Sequence, residues 1–301
     1  MALPMPTAHS RAVVTGASSG IGMAFARELA TRGYNLVLVA RREQILNELA
    51  DELRSRTGVE VDVRACDLSK PEKRAPLLAE LEKTEVSILC NNAGIATFGP
   101  VSELDFDYER DQVQLNAVAA HELILAVLPG MLERRSGGIL NVGSAAGNTA
   151  IPNNATYAAS KAFLNTFSES LRGEVKKQGV NVTLLAPGPV RTEEIAEADK
   201  TFVDRIVPDS FWVDTTYTAR LSIDALARNK MRVVPGPIGQ TMSLATNFLP
   251  RRFVSPLAGK AYAKLGEGSA DAADVSGSRS GDAAGSTGGQ GAAATTPDSS
   301  A

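Results

Sequence analysis

Short apolar runs alternate with longer segments of helical hydrophobic period from residue 11 to about residue 235. A short apolar run bounded by turn residues is typical of a buried strand, and the longer segments have the apolar spacing of amphipathic helices. Strands that alternate with helices in this way predict repeated βα units closing into a parallel sheet. The predicted fold class is therefore α/β, a doubly wound parallel sheet with helices on both faces.

Seven of these runs are predicted to be strands: Ala12–Thr15, Asn35–Ala40, Glu60–Ala65, Ile88–Asn91, Gly138–Val142, Asn181–Ala186 and Met231–Val234. Helices are predicted to begin near Gly20, Arg42, Pro71, Tyr108, Tyr157 and Phe211. Ligands of a doubly wound sheet bind at the carboxyl ends of its strands. The residues that follow each strand are therefore the candidates for binding and chemistry.

One catalytic domain, residues 11–265, is predicted between an N-terminal extension, residues 1–10, and a C-terminal tail, residues 266–301. The tail consists mainly of Gly, Ala, Ser, Thr and Asp and has no aromatic residue. Such a segment buries too little apolar surface to offset the entropy lost on ordering. We therefore expect a disordered, low-complexity tail.

Composition and charge narrow the classes of partner. The 301 residues carry a net charge of −3, which provides no field that would gather nucleic acid. Two cysteines, Cys66 and Cys90, end apolar runs and are expected to be separate buried thiols. The first ten residues do not resemble a secretion signal, and no apolar run approaches the roughly 20 residues that span a bilayer. The expected location is the cytoplasm.

The run after the first strand, T-G-A-S-S-G-I-G, opens the first helix. Glycines there allow a tight turn and a close approach of backbone to phosphate, while the helix N-terminus supplies free N–H groups. The cofactor phosphates are expected to meet Gly16, Ser18, Ser19, Gly20, Ile21 and Gly22. Glycines alone are also consistent with an ordinary turn.

The spacing T-G-x-x-x-G-I-G behind an opening strand resembles the classical short-chain dehydrogenase/reductase family. This resemblance implies a Rossmann-type fold and a nicotinamide dinucleotide cofactor. Asp67 and Leu68 resemble the family's adenine-contacting pair, and Asn92-Ala93-Gly94 resembles its NNAG segment. For Asn92 and Gly94, a structural role and a ligand contact are equal alternatives.

The end of the second strand bears on the choice of cofactor. NAD-preferring folds tend to offer an acidic side chain there, whereas this chain has Ala40 followed by Arg41 and Arg42. Two guanidinium groups favour a 2′-phosphate through charge-assisted hydrogen bonds. The prediction is NADPH/NADP, with Arg41 the stronger candidate, since Arg42 is also consistent with a solvated helix start.

Tyr157 and Lys161 are four residues apart on a predicted helix and share one face. An ammonium near a phenol favours the phenolate, so we expect Lys161 to lower the pKa of Tyr157 toward the working range. Ser144, after the fifth strand, can hydrogen-bond the same substrate oxygen. Asn116 resembles the family's fourth catalytic residue, which supports a water path to the lysine, and the resemblance also gives Lys161 a contact with the nicotinamide ribose.

The segment after the sixth strand resembles the family's PG segment, which meets the nicotinamide carboxamide. The expected contacts are Pro187, Gly188, Val190 and Thr192. Residues 193–222 follow, where the family places a mobile substrate lid, and they are rich in apolar side chains: Ile195, Phe202, Val203, Ile206, Val207, Phe211, Trp212 and Val213. An apolar lid suits a lipid substrate, although a helix pair packed on the core is an equal alternative.

Three further stretches, Val113–Ala119, Gly143–Asn148 and Asn229–Gly236, are similar to the mycolate reductases of mycobacteria and corynebacteria. The resemblance spans about residues 10–266. It implies NADPH-dependent reduction of an α-branched 3-oxo mycolic acid precursor, presented as a lipid or acyl ester. A general 3-oxoacyl-thioester or other lipid-ketone reductase shares every motif, and a non-catalytic NADPH-binding sensor or scaffold is the alternative outside enzymes.

Two segments are candidates for larger partners. Met242–Lys264 combines large apolar side chains with arginine and lysine, which fits peripheral contact with the inner face of an anionic membrane, a cap on the substrate cleft or a dimer contact. His121 lies in an apolar helix without nearby ligands, so no metal site is expected. That helix is expected to pack against a partner subunit in a homo-oligomer.

Overall fold

A computed structural model describes residues 3–187, 190–191 and 212–236, and gives the backbone of residues 190 and 191. The predictions for Gly188, for Thr192, for the lid up to Phe211, for 242–264 and for the tail from 266 lie outside the described residues.

The nine strands of the described chain are β1 Arg11–Thr15, β2 Leu36–Ala40, β3 Val61–Ala65, β4 Val86–Asn91, β5 Gly137–Val142, β6 Val180–Leu185, β7 Val190–Arg191, β8 Val213–Asp214 and β9 Arg232–Val233. The helices there are α1 Gly20–Thr31, α2 Glu43–Thr57, α3 Pro71–Leu81, α4 Phe106–Val113, α5 Ala120–Glu133, α6 Ala155–Val175 and α7 Thr215–Ala227. A π turn, Gln114–Ala119, joins α4 to α5, and short 3-10 turns lie at Val101–Glu103 and Ala145–Asn148.

Seven parallel strands form one sheet in the order β3-β2-β1-β4-β5-β6-β9. The predicted α/β fold is therefore confirmed, and the strand order reverses between β1 and β4, where such sheets bind ligands. The short parallel pair of β7 and β8 was not predicted. Two-residue strands carry no hydrophobic period, so the sequence gives no sign of them.

Both faces of the sheet are covered, which explains why central strands such as β1 and β2 are almost entirely apolar. Val14 on β1 faces the side packed by α1, α2 and α7, with Phe25 and Leu226 fully buried there. Its neighbour Val13 faces the side packed by α3, α5 and α6, where Leu123 and Leu171 are buried. The central strands thus have core on two sides, and their carboxyl ends are the parts left to meet a ligand.

The α4, π turn and α5 segments form one helical stretch, Phe106–Glu133. By length and composition this stretch could cross a membrane, which the sequence analysis did not anticipate. Half of its most apolar window is buried against the rest of the fold, and core helices pass the same test. It is therefore weak evidence for a membrane span.

A buried guanidinium ties α3 to that helix. The Arg74 side chain is 2% exposed, and its Nε lies 2.5 Å from a carboxylate oxygen of Glu122. Its two Nη atoms donate to the Leu68 carbonyl and to Gln114 Oε1, both at 3.0 Å. Arg74 thus connects the loop after β3 to the π turn.

We expect Arg74→Met to lower the free energy of unfolding by about 2–4 kcal/mol, because it leaves buried acceptors without a donor. The matched control is Arg64→Met. The Arg64–Glu80 pair is 38% and 37% exposed, and a half-exposed pair contributes about 0–1 kcal/mol. Urea unfolding followed by circular dichroism measures both, and equal losses would contradict the assignment.

Candidate active site

The loop after β1 is shaped to leave room for phosphate at the start of α1. Gly16 and Gly20 have φ of +66° and +54°, conformations that favour glycine. A Cβ on Gly22 would lie 2.2 Å from the Gly16 carbonyl oxygen, so α1 can approach the loop this closely only with glycine. The free N–H groups of α1 therefore face an open cradle of backbone.

The β1 and β4 ends are held together by Thr15 and Asn92. The Thr15 hydroxyl oxygen accepts from the backbone N–H groups of Asn92 and Ala93, at 2.9 and 3.0 Å. The Asn92 side-chain amide donates to the carbonyls of Thr15 and Gly16. Asn92 therefore has a structural role, and its contact with a ligand stays a prediction.

A cleft of about 230 Å³ lies at this switch point, and most of the predicted cofactor residues line it. They are Gly16, Ser18, Ser19, Arg41, Arg42, Asp67, Leu68, Asn92, Ala93 and Gly94. Gly20, Ile21 and Gly22 begin α1 directly behind Ser19. Ala40, Cys66, Ile95 and Leu115 also line the cleft. Ile95 and Leu115 were not predicted, because an apolar wall residue carries no chemical signal in a sequence.

The polar side chains of the cleft suit an adenosine whose ribose carries a 2′-phosphate. Arg42 Nη2 donates to the Ser18 carbonyl at 3.1 Å, while Arg41 is exposed at the cleft edge. Burial raises the pKa of Asp67, but hydrogen bonds from Ser69 and the charge of Arg41 outweigh it and leave that pKa lowered. The open phosphate cradle and the paired guanidiniums thus fit a dinucleotide with a 2′-phosphate.

Ser144, Tyr157 and Lys161 meet at the carboxyl end of β5. The Ser144 side chain lies close enough to that of Tyr157 to lower the pKa of the phenol, and its Oγ accepts from the Ala146 N–H at 3.1 Å. Lys161 is 4% exposed, and its Nζ donates to the Val142 carbonyl at 2.9 Å and lies 5.8 Å from the centre of the Tyr157 ring. The structure therefore brings three of the four predicted catalytic residues together.

The pKa values of the pair differ from the sequence-based expectation. Burial raises the pKa of Tyr157, although the hydrogen bond with Ser144 acts in the opposite direction. Burial also lowers the pKa of Lys161 to about 8. In a site with so little water both charged forms are disfavoured, so the phenol holds its proton more firmly than the prediction assumed.

Asn116 lies in the π turn and is 1% exposed. Its amide spans the Ile95 backbone, donating to the carbonyl at 2.8 Å and accepting from the N–H at 3.0 Å, and also donates to Ser160 Oγ. A Cβ on Gly94 would lie 3.1 Å from Asn116 Oδ1 and 3.2 Å from Lys161 Nζ. Asn116 Oδ1 and Lys161 Nζ thus both lie next to Gly94, and the water path stays a prediction.

The PG segment is described only in part. The Pro187 carbonyl accepts from the Ala145 N–H at 3.4 Å, which links this segment to the residue after Ser144. The backbone of Val190 pairs with β8. The carboxamide contacts predicted for Gly188 and Thr192 fall outside the described residues.

Other predicted positions have plain surroundings. Cys66 and Cys90 are free and buried, as predicted. The His121 ring packs edge-on against Phe163 and Phe167. Among the described residues no group of three or more His, Cys, Asp or Glu side chains could hold a metal ion. The predicted contact of α5, the helix of His121, with a partner subunit stays a prediction.

Sequence reasoning missed Asn165, which lies four residues beyond Lys161 and contacts the backbone of Ser144. The four-residue spacing of Tyr157, Lys161 and Asn165 places all three near one face of α6 and was the signal available.

The pKa of Lys161 predicts a stability change with pH. Its folded pKa of about 8 lies below the ordinary 10.5, so the cost of burying the ammonium is fully present below pH 8 and disappears as pH rises toward 10.5. Lys161→Met should therefore raise the free energy of unfolding at pH 7 by on the order of 1–3 kcal/mol, and this gain should shrink toward pH 10.

Urea unfolding at pH 7 and pH 10 measures this gain, with Lys176→Met as an exposed control. A gain that stays constant with pH would show that the ammonium is not the source.

Sequence comparison finds relatives that are named 3-oxoacyl-CoA reductases or hydroxysteroid dehydrogenase-like proteins. The chain is 37% identical over 206 residues to a very-long-chain 3-oxoacyl-CoA reductase of Anas platyrhynchos, which covers 66% of this chain and 65% of that protein. It is 42% identical over 175 residues to one of Laccaria bicolor, covering 57% and 52%. A human relative, 37% identical over 191 residues (62% of this chain and 58% of that protein), is named an inactive hydroxysteroid dehydrogenase-like protein. The matches thus span between half and two thirds of these relatives.

A short-chain dehydrogenase from Sphingobium yanoikuyae, solved in complex with NADPH, has the same fold. It superposes with a TM-score of 0.70 and 28% identity over 92% of this chain and 99% of that one. The predicted nicotinamide dinucleotide cofactor agrees with this neighbour.

The sequence model described as short chain dehydrogenase matches residues 10–201, which contain the phosphate cradle, the cleft and Ser144, Tyr157 and Lys161. The chain belongs to the short-chain dehydrogenase family.

Proposed function

We propose that this protein is an NADPH-dependent reductase of a β-keto lipid. The observation that carries the proposal is the contact between Ser144 and Tyr157 beside the buried Lys161, at the sheet edge that also carries the dinucleotide cleft. The relatives named very-long-chain 3-oxoacyl-CoA reductases support a long acyl chain with a 3-oxo group.

A protonated Tyr157 suits the reducing direction. A reduced nicotinamide dinucleotide, when bound, supplies hydride to a carbonyl carbon. The negative charge that develops on the carbonyl oxygen needs a proton. A phenol carries its proton at neutral pH, and burial raises the pKa of Tyr157 further, so its hydroxyl can supply that proton. Ser144 lies beside the phenol, and its single O–H can turn to the same substrate oxygen as a second donor.

Lys161 has a supporting part in this step. Its Nζ is fixed on the Val142 carbonyl, 5.8 Å from the phenol ring. An ammonium at that distance stabilises the charge that Tyr157 acquires when it gives up its proton. With a pKa of about 8, Lys161 can also exchange a proton near neutral pH.

NADPH rather than NADH is proposed because the β2 end is neutral at Ala40 and continues into Arg41 and Arg42. Arg42 is already bonded to Ser18 at the phosphate cradle. Arg41 is exposed at the cleft edge, and its charge is felt by Asp67 across the cleft. Arg41 is thus placed to meet a 2′-phosphate, with Arg42 holding the loop beneath it.

Arg41→Ala should weaken NADPH binding by about 10- to 100-fold and leave NADH binding within about 2-fold, because only NADPH loses a charge-assisted bond. Titration calorimetry with each dinucleotide measures this difference. Arg56→Ala, on the exposed end of α2, is the control for a general change in charge. Equal weakening of both dinucleotides would overturn the role given to Arg41.

The finer proposal is that the physiological substrate is the α-branched 3-oxo precursor of a mycolic acid. It rests on the stretches Val113–Ala119, Gly143–Asn148 and Asn229–Gly236, which resemble mycolate reductases. An unbranched 3-oxoacyl thioester is the alternative that the names of the relatives favour. A sensor without catalysis would not need this arrangement. Ser144 lies beside Tyr157, and Lys161 is fixed by its hydrogen bond to the Val142 carbonyl of β5.

A comparison of two substrates tests this proposal. With NADPH, the purified protein should reduce a 2-alkyl-3-oxoacyl thioester with a kcat/KM above that for 3-oxohexadecanoyl-CoA, as measured by mass spectrometry of the hydroxy product. Tyr157→Phe should lower kcat for both by at least about 100-fold, because the proton donor is lost. Preference for the unbranched thioester would overturn the mycolate assignment, and turnover by neither would overturn the reductase proposal.

A further inference from the structure

The amide of Asn165 clasps the backbone of Ser144. Asn165 Nδ2 donates to the Ser144 carbonyl at 2.9 Å, and Oδ1 accepts from the Ser144 N–H at 3.4 Å. Asn165 is 3% exposed, so these bonds form out of contact with solvent. One side chain therefore satisfies both backbone groups of the residue whose hydroxyl contacts Tyr157.

Two glycines make this clasp possible. A Cβ on Gly143 would lie 2.0 Å from Asn165 Oδ1, and a Cβ on Gly147 would lie 2.7 Å from Asn165 Nδ2. Any other residue at either position would push the amide away from Ser144. The glycines on the two sides of Ser144 thus reserve the space that the Asn165 side chain fills.

The pair of hydrogen bonds between Asn165 and Ser144, called the clasp, is supported by a residue on the edge strand β9. Asn165 Nδ2 also lies 3.2 Å from Asn148 Oδ1, which accepts from Arg232 Nη2 at 2.9 Å. Arg232, on β9, forms an ion pair of 3.3 Å with Glu169. Because Glu169 is four residues after Asn165, α6 supplies both ends of this chain of contacts.

We infer that Asn165 is a positioning residue for catalysis, which fixes the Ser144 hydroxyl against Tyr157, with Asn148 and Arg232 supporting its amide. Tyr157, Lys161, Asn165 and Glu169 follow one another every four residues along α6. Tyr157 and Lys161 belong to the proposed catalytic group, and Asn165 sets the position of Ser144, whose Oγ accepts a hydrogen bond from the Ala146 N–H. This inference rests on the proposed reductase function.

A double-mutant cycle with Ser144 tests the inference. Asn165→Ala should lower kcat for 3-oxohexadecanoyl-CoA by about 10- to 100-fold, since small displacements of a catalytic group have effects of this size. KM and the Kd of NADPH from calorimetry should change by less than about 3-fold. In a Ser144→Ala background, Asn165→Ala should lower kcat by less than about 3-fold further, because there is no hydroxyl left to position.

A buried asparagine elsewhere supplies the matched control. Asn181 is 1% exposed and donates to the Leu226 carbonyl at 3.0 Å, far along β6 from Ser144. Asn181→Ala should destabilise the fold in thermal unfolding while leaving kcat of the folded protein within about 2-fold. Two outcomes would show that Asn165 is merely structural. One is a loss of kcat in Asn181→Ala as large as that in Asn165→Ala. The other is a loss of kcat from Asn165→Ala that is the same with and without the Ser144 hydroxyl.

The conservative variant Asn165→Asp adds a pH profile. A protonated carboxyl can donate to the Ser144 carbonyl and accept from its N–H, as the amide does, whereas a carboxylate cannot donate. Relative to wild type, kcat of Asn165→Asp should recover as pH falls from 8 toward 6, because burial raises the pKa of a carboxyl. A wild-type to variant ratio that is constant with pH would overturn the donor role.

Hydrogen exchange separates this inference from the proposed function. If wild type does not reduce the thioester, the proposed function fails, and the clasp is then decided by exchange of the peptide spanning residues 143–150. Faster amide exchange there in Asn165→Ala, but not in Asn181→Ala, supports the clasp. Unchanged exchange would overturn it.

Discussion

The site depends on one costly contact, the burial of the Lys161 ammonium against the Val142 carbonyl at the carboxyl end of β5. A buried cation is tolerated only where acceptors and neighbouring charge offset the loss of water. This contact fixes α6 to the sheet at the height of the strand end. The Tyr157 hydroxyl and the Asn165 amide, one turn away on either side, are thereby brought to Ser144 from the same helix.

The cleft follows from a second constraint, the close approach of β1, β4 and α1. Thr15 and Asn92 fasten the two strand ends, and Gly22 lets α1 rest on the loop. Neither side chain has to touch a ligand for this to work. The open N-terminus of α1 is produced by the packing around it, and binding groups such as Arg41 are then added at the rim.

Much of this was readable from the sequence because it depends on local rules. Buried parallel strands are continuous apolar runs, the phosphate loop needs glycine at fixed positions, and two residues four apart on a helix share a face. What depends on burial was not readable. Arg74 stands beside Lys73 and looks like part of a solvated helix face, yet it is 2% exposed. The pKa of Tyr157 was predicted in the wrong direction because residue spacing does not reveal how deeply the phenol is buried.

The π turn at Gln114–Ala119 gives the helix Phe106–Glu133 one residue more than its regular turns would need. An additional residue rotates everything beyond it by about 100° around the helix axis. The two halves are therefore out of phase. Gln112 is buried with its amide on Thr97, while Leu123 and Ile124 still face the core. Asn116 lies where the phase changes. A helix without this extra residue could not both present the Asn116 amide to the Ile95 backbone and direct its apolar residues into the core.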